Sequence, residues 1–171
     1  MKYEIQDLSE ILEKIPDCEV EAFSTTLNAY KRIFVYGAGR SGLMMKAFAM
    51  RLAQAGATVY VVGETITPSI EENDVLILAS ASGRTSSVLT YAKVAKENGA
   101  AVYAITSSSD SSLATIADGK VVISAPTKDS ARSNSIMGTL FEQSVLLFCD
   151  AVIQLVFKET EQMRKRHANL E

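Results

Sequence analysis

The chain has 171 residues, of which 47% are hydrophobic and 22% charged, and its net charge is −3. These values are typical of one globular domain, so we expect residues 1–171 to form a single domain with N-terminal helices and a C-terminal helical tail. A slightly acidic chain offers no basic face for nucleic acid. No apolar run approaches the roughly 20 residues that span a bilayer, and acidic residues interrupt the N-terminal stretch MKYEIQDLSEIL, unlike a signal peptide. We therefore expect a cytoplasmic protein that binds neither nucleic acid nor membranes.

Cysteine and histidine usage agrees with that location. Cys18 and Cys149 lie far apart without a C-x-x-C pair, and the chain has one histidine. Cys149 lies in an apolar run that is typical of a small buried side chain. These counts argue against a disulfide framework and against a dedicated zinc site.

Apolar periodicity predicts two N-terminal helices and then five strands that alternate with helices. The first two helices are expected over 3–15 and about 19–30, and the strands over 32–36, 58–62, 74–79, 101–106 and 121–123. The intervening helices are expected from the turn after the first strand to about 54, from about 85 to 98, and over 111–117. A polar loop over 125–134 precedes one long apolar helix, or two joined ones, over about 135–165. Strands of this kind indicate a three-layer α/β/α fold with a five-stranded parallel sheet.

The last helix carries more apolar surface than one sheet face can cover. Its apolar residues are Ile136, Met137, Leu140, Phe141, Val145, Leu146, Leu147 and Phe148. Together with the N-terminal helices, they indicate burial against another subunit and therefore an oligomer. The alternative is a helix that lies deep in its own core.

A glycine-rich turn follows the first strand. Residues 37–42 read GAGRSG, the G-x-G-x-x-G pattern of dinucleotide-binding proteins, and Glu64 follows the second strand where a ribose-binding acid would lie. The pattern is weak by itself, because tight strand-to-helix turns favour glycine. The chain has no length left for a substrate domain, so a small phosphate is favoured over a dinucleotide.

A serine-rich turn follows the third strand and opens a helix. Its hydroxyls belong to Ser80, Ser82, Thr85, Ser86 and Ser87, around Gly83. A phosphate monoester needs many donors within a small radius, and hydroxyls and the free N–H groups of a first helical turn supply them. The alternative is an ordinary turn with one Ser or Thr as the helix N-cap, but five hydroxyls exceed that role. Both turns lie at the carboxyl ends of strands, where parallel sheets bind ligands.

Glu142 is a carboxylate within an apolar helical stretch. Burial there would disfavour its charged form, which is how a weak base becomes useful near neutral pH. Gly138, one turn earlier, would clear space beside it for a ligand. The alternative is that Glu142 points outward or pairs with a lysine. His167, in the charged tail, is either solvated or available for proton transfer.

Five segments together resemble one known family. YGAGRSG, VVGETITP, the S-x-S-G-x-T turn, MGTLFEQS and RHANLE occur, from about residue 30 to the end, as in the sugar isomerase (SIS) domain superfamily of phosphosugar isomerases and sensors. GETITP, MGTLFE and RHANLE are similar to its hexuloisomerase family. The resemblance implies a flavodoxin-like five-stranded parallel sheet, a homotetramer, and no metal or organic cofactor. The implied reaction interconverts D-arabino-hex-3-ulose 6-phosphate and fructose 6-phosphate in the ribulose monophosphate route.

The resemblance also implies which residues form the site. The phosphate would be bound by the side chains of Ser80, Ser82 and Thr85 and by the backbone of Ala81, Gly83 and Arg84. Ser41 would hold a sugar hydroxyl, and Glu142 would match the catalytic base. His167 would match a histidine that related isomerases supply from a neighbouring subunit. The chain departs from many SIS domains by having Arg84 in place of a glutamate and Ala81 in place of a glycine or glutamine. Arg84 would either strengthen phosphate binding or face solvent.

Two other functional classes stay open at this point. A non-catalytic sugar-phosphate sensor would use the same two turns without needing Glu142 to titrate. A dinucleotide-binding module would need only the glycine-rich turn and Glu64.

Overall fold

The protein is built around one parallel sheet. The computed structural model describes residues 2–126, 138–157 and 160–169. The strands are β1 (Arg32–Gly37), β2 (Val59–Val61), β3 (Asp74–Ser80), β4 (Ala101–Thr106) and β5 (Gly119–Val122). All are parallel, and they are hydrogen-bonded in the order β2-β1-β3-β4-β5. The five predicted strands are therefore present, and their ends differ from the predictions by at most two residues.

Helices cover the sheet on both sides. They are α1 (Lys2–Leu12), α2 (Asp17–Ala29), α3 (Arg40–Ala55), α4 (Ser86–Glu97), α5 (Ser112–Ile116), α6 (Thr139–Val156) and α7 (Thr160–Lys165). Pro16 separates α1 from α2 and stands in an extended conformation just before α2, where a missing N–H costs little. Gly99 follows α4 with a φ of +75°, the left-handed conformation in which glycine commonly ends a helix.

Two apolar cores lie on the two faces of the sheet. The central strand β3 is buried at all seven positions. On one face, α1, α2, α3 and α6 pack around aromatic side chains that include Phe23, Phe48 and Phe148. On the other face, α4 and α5 contribute buried side chains such as Val88 and Leu113. The predicted three-layer α/β/α fold is confirmed.

The C-terminal segment contains two helices, α6 and α7, in the part of the chain that the structure describes. The expected helix start at 135 and most of the polar loop over 125–134 lie outside the described residues. α6 has 18 residues and a mean hydropathy of 1.5, so by length and composition it could cross a membrane, contrary to the expectation that no run approaches this length. It instead buries Phe141, Val145, Phe148 and Val152 in the core. Burial in the core accounts for its apolar composition.

The strand order changes direction between β1 and β3. The chain passes from β1 outward to β2 and returns to β3 on the other side of β1. Loops at the carboxyl ends of the two strands therefore diverge, and such a switch point leaves a crevice for a ligand. The glycine-rich turn follows β1 and the serine-rich turn follows β3, so both turns border this crevice.

Candidate active site

A cavity of about 150 Å³ occupies the crevice between β1 and β3. The described residues that line it are Ala38, Ser41, Ala79, Ser80, Ala81, Ser82, Thr85, Gly138, Phe141 and Glu142. They come from the glycine-rich turn, the serine-rich turn and the start of α6, three segments that the sequence analysis singled out separately. The fold brings these segments to one place.

The glycine-rich turn is shaped by close backbone packing. A Cβ atom on Gly37 would lie 2.9 Å from the backbone nitrogen of Gly42, closer than Cβ atoms approach other heavy atoms in folded proteins. The end of β1 therefore touches the first turn of α3, and this contact aims Ser41 at the cavity. The glycines are explained by strand-to-helix packing, with no dinucleotide required.

Glu64 does not line the cavity. Its carboxylate accepts a hydrogen bond from Nζ of Lys46 at 2.6 Å, and both side chains are about half exposed. The acid that a dinucleotide site would use is therefore engaged in a surface ion pair. The geometry favours the small phosphate over the dinucleotide.

Hydroxyl groups of the serine-rich turn face one another across the cavity floor. Oγ of Ser80 lies 3.2 Å from Oγ1 of Thr85. The backbone N–H of Gly83 donates to Oγ of Ser80 at 3.2 Å, and that of Arg84 donates to Oγ of Ser82 at 3.3 Å. Three hydroxyls thus lie within one turn, where a phosphate would find several donors, and the two backbone N–H groups hold the serine oxygens in place.

The helix that follows this turn keeps its first N–H groups uncapped. Thr85 holds the N-cap position of α4, but its side chain makes no capping hydrogen bond. Ser86 and Ser87 do not line the cavity, and Oγ of Ser87 instead lies 3.3 Å from the hydroxyl of Tyr36. The N-cap alternative therefore does not explain the turn, and the start of α4 has donors to offer an anion.

Three helices begin at the rim of the cavity. α3 starts after Gly39 and α6 starts after Gly138, and, like α4, neither has a side-chain capping bond. Each helix start carries a partial positive charge. The described lining includes no lysine, arginine or histidine, so hydroxyls and helix termini supply the attraction for a phosphate.

The other predicted residues of the serine-rich turn have different positions. Gly83 is buried with a φ of +57°, and a Cβ atom there would lie 2.3 Å from Oγ of Ser111. Gly83 therefore packs beneath the turn. Arg84 is exposed and borders a second, polar cavity of about 310 Å³ beside Ser107 and Ser112. Arg84 is not among the described residues that line the first cavity with Glu142.

Glu142 faces the cavity and is paired with an arginine. It lies in the first turn of α6, where its side chain is 12% exposed. Nε of Arg40, at the start of α3, donates a hydrogen bond to Oε2 of Glu142. The alternative in which Glu142 points outward is wrong, and its partner is Arg40 rather than a lysine. Gly138 lines the same cavity beside it, as predicted.

Sequence reasoning assigned no role to Arg40. The one available signal was its place as the only basic residue of the glycine-rich turn. Phe141, which closes the cavity beside Glu142, was interpreted as a core residue. Neither position could be connected to Glu142 before the packing of α6 against α3 was known.

His167 lies far from the cavity of its own chain. The neighbouring Arg166 donates from Nη1 to the backbone oxygen of Gln54 at 3.2 Å, near the end of α3. Arg40 begins the same helix at the cavity, and a helix of this length spans roughly 24 Å at 1.5 Å per residue. His167 is exposed there. The structure does not bring His167 and Glu142 of one chain together.

The comparisons with known proteins agree with this geometry. A sequence model of the SIS domain family matches residues 26–147. The chain is 40% identical to 3-hexulose-6-phosphate isomerase of Mycobacterium gastri, covering 96% of this chain and 86% of the relative. It is also 40% identical to the Bacillus subtilis protein of that name, covering 90% and 87%.

A solved structure gives the same result. A hypothetical protein of Methanococcus jannaschii superimposes with a TM-score of 0.82 at 35% identity, covering 99% of this chain and 96% of the other. Its crystal structure was described as inferring a molecular function of 3-hexulose-6-phosphate isomerase. The chain belongs to the SIS domain family. It shares this membership with proteins that carry the name of a sugar-phosphate isomerase.

Proposed function

We propose that this chain is a 3-hexulose-6-phosphate isomerase, which interconverts D-arabino-hex-3-ulose 6-phosphate and fructose 6-phosphate. The observation that carries the proposal is one cavity that holds both the hydroxyls of Ser80, Ser82 and Thr85 and the carboxylate of Glu142. An anchored phosphate would fix the sugar so that a single base reaches its carbon atoms. The names of the relatives support the choice of substrate.

In the first step, the carboxylate of Glu142 takes the proton from C2 of the 3-hexulose. The electron pair of that C–H bond forms the C2–C3 double bond, and the carbonyl pair moves onto the oxygen at C3. The product is an enediolate and a neutral Glu142. The proton of the C2 hydroxyl then passes to the oxygen at C3.

In the second step, the oxygen at C2 re-forms a carbonyl and C3 takes the proton held by Glu142. The carboxylate is regenerated, and the ketone has moved from C3 to C2. One base on one face of the sugar accounts for both transfers, since C2 and C3 are adjacent. Ser41, at the other wall of the cavity, is placed to hold a sugar hydroxyl.

No metal or organic cofactor takes part in the proposed steps. In residues 2–126, 138–157 and 160–169, no group of three or more His, Cys, Asp and Glu side chains could hold a metal ion. Activity in the presence of a chelator tests this part of the proposal directly.

The proposed assembly is a homotetramer in which His167 serves the cavity of a neighbouring subunit. Apolar side chains of α3 and α6 support an oligomer, because Leu43, Met50, Leu147 and Leu155 are each 45–60% exposed. The position of His167 at the far end of α3 supports a role outside its own cavity. Light scattering after gel filtration should give four times the chain mass. Mixing the Glu142→Gln and His167→Ala variants should restore activity, because hybrid tetramers would contain cavities with both residues intact.

The proposed location is the cytoplasm. Both cysteines are unpaired, with Cys18 exposed and Cys149 buried. Burial raises the pKa of the Cys149 thiol, which keeps it protonated and unreactive. An exposed unpaired thiol is typical of a reducing compartment.

The experiment that tests the function is an isomerase assay with EDTA. The 3-hexulose phosphate is generated in situ from formaldehyde and ribulose 5-phosphate by a synthase, and fructose 6-phosphate is detected through a coupled dehydrogenase. Signal that depends on this protein and survives chelation supports the proposal. No signal with a validated synthase, together with a thermal shift on fructose 6-phosphate, would instead indicate a sensor.

A further inference from the structure

Arg40 and Glu142 join the first turns of two helices that are distant in sequence. Their hydrogen bond connects residues 102 positions apart. The two side chains differ in exposure, because that of Arg40 is 60% exposed and that of Glu142 is 12% exposed. The carboxylate is therefore the buried member of the pair, and the guanidinium reaches it from the surface.

A carboxylate that acts as a base must be held in one orientation. Hydrogen bonds between charged groups are short and strong, and they fix the geometry of the pair. In the proposed first step, an oxygen of Glu142 must reach the proton on C2. The direction of the carboxylate therefore depends on which group holds it.

Among the charged groups of the elements that pack around α6, Arg40 is the cation that contacts Glu142. The other basic residues of α3 are engaged elsewhere, Lys46 with Glu64 and Arg51 with Asp150 at 3.4 Å, more than two turns further along α6. From residue 4 onward, the ionisable residues of α1 and α2 are Glu4, Asp7, Glu10, Asp17, Cys18, Glu19 and Glu21. They carry negative charge or none at neutral pH, so they cannot stabilise another anion. The cavity lining supplies hydroxyls.

We propose that Arg40 is a positioning residue that holds the carboxylate of Glu142 and orients it towards the sugar, an inference that rests on the function proposed above. The Nε bond engages one of the two carboxylate oxygens, which fixes the plane of the group. In the first step, a negative charge leaves Glu142 and appears on the enediolate within the same cavity. The charge near Arg40 is conserved, so its guanidinium stabilises both states.

Two matched variants test this role. Arg40→Ala removes the partner of Glu142, and Arg51→Ala removes a similar pair between the same two helices, outside the cavity. We expect the effects of Arg40→Ala and Glu142→Gln on the free energy of unfolding, measured with urea, to be non-additive when the two changes are combined, because the two side chains contact each other. The effects of Arg51→Ala and Glu142→Gln should be additive.

Kinetics give an independent readout. In Arg40→Ala, kcat at pH 7 should fall about 10- to 100-fold, with KM within about threefold of the wild type, because the base is no longer held towards C2. Added guanidinium should restore part of kcat because the Arg40 side chain is reached from solvent, whereas neutral urea should not. Arg51→Ala should keep the wild-type kcat and KM.

Several results would overturn the proposal. Additive effects of Arg40→Ala and Glu142→Gln on the free energy of unfolding would show that the two side chains do not interact. A rise in KM with kcat retained would show that Arg40 binds the phosphate instead. If the wild-type protein has no isomerase activity, the proposed function fails, while the unfolding measurements, which need no turnover, still decide whether Arg40 holds Glu142.

Discussion

Gly42 lies against the end of β1 so closely that a Cβ atom on it would stand 2.3 Å from the carbonyl oxygen of Gly37. Alanine is otherwise preferred in a helix by about 1 kcal/mol, but here it would collide with backbone that cannot move independently. We expect Gly42→Ala to lower the free energy of unfolding by about 2–3 kcal/mol and to reduce activity, because Ser41 and Arg40 would shift. Urea unfolding measures the first effect.

Gly63→Ala is the control for that prediction. Gly63 has a φ of +96° with no heavy atom within 4 Å of a Cβ position. The Gly63→Ala variant should therefore lose only about 1 kcal/mol of its free energy of unfolding, from alanine in a left-handed conformation, and it should keep its activity. If Gly42→Ala proves as stable as the wild type, the backbone contact between β1 and α3 is looser than described.

The hydroxyl of Ser80 should be needed for phosphate binding, and that of Ser86 should not. Ser80 is buried in the cavity lining, whereas Ser86 is exposed and lies outside it. A hydrogen bond to a charged group contributes about 1.5–3 kcal/mol, so Ser80→Ala should weaken fructose 6-phosphate binding about tenfold or more. Isothermal titration calorimetry should find Ser86→Ala within about twofold of the wild type. Equal losses in the two variants would contradict the assignment of the phosphate turn.

Replacing Glu142 by glutamine should remove the base and keep the site. The amide has nearly the same shape but cannot accept the proton from C2, so kcat should fall by about 10³, with sugar-phosphate affinity within a few-fold. The coupled assay and thermal shift measure the two quantities. Glu64→Gln, in the surface pair with Lys46, should behave as the wild type. Substantial turnover in Glu142→Gln would exclude Glu142 as the base.

The buried Tyr103 should make the protein sensitive to alkali. Burial raises the pKa of Tyr103 to about 12, with a further contribution from the charge of Glu19. An unfolded tyrosine ionises near pH 10. Because the pKa is higher in the folded state, this residue's stabilisation is complete below pH 10 and is lost as the pH rises towards 12.

Tyr103→Phe isolates this effect. At pH 8 the variant should be less stable by about 1 kcal/mol, since the Tyr103 hydroxyl donates to the backbone oxygen of Lys120 at 3.3 Å. Between pH 10 and 12 the difference should shrink and reverse, by up to about 2–3 kcal/mol in total. Urea unfolding at several pH values tests this, and a constant difference across that range would contradict the buried position of the hydroxyl.

Much of the fold and part of the site could be predicted from sequence because local patterns encode them. The apolar run of β3 can only be a strand covered on both faces, and all seven of its residues are buried. The serine-rich turn was predicted to bind phosphate because five hydroxyls at a strand end, opening a helix, exceed a capping role, and the resemblance to the SIS family selected Ser80, Ser82 and Thr85 among them. Glu142 was predicted because a carboxylate within an apolar helix is costly without a role.

Only the tertiary structure decided which of these groups meet. Of the five hydroxyls in the serine-rich turn, those of Ser86 and Ser87 are turned away by the first turn of α4. Arg84 borders another cavity, whereas Arg40 contacts Glu142, 102 positions further along the chain. Periodicity along the chain determines which face of an element is buried. The partner of a side chain depends on how α6 packs against α3, a long-range relation that no local pattern contains.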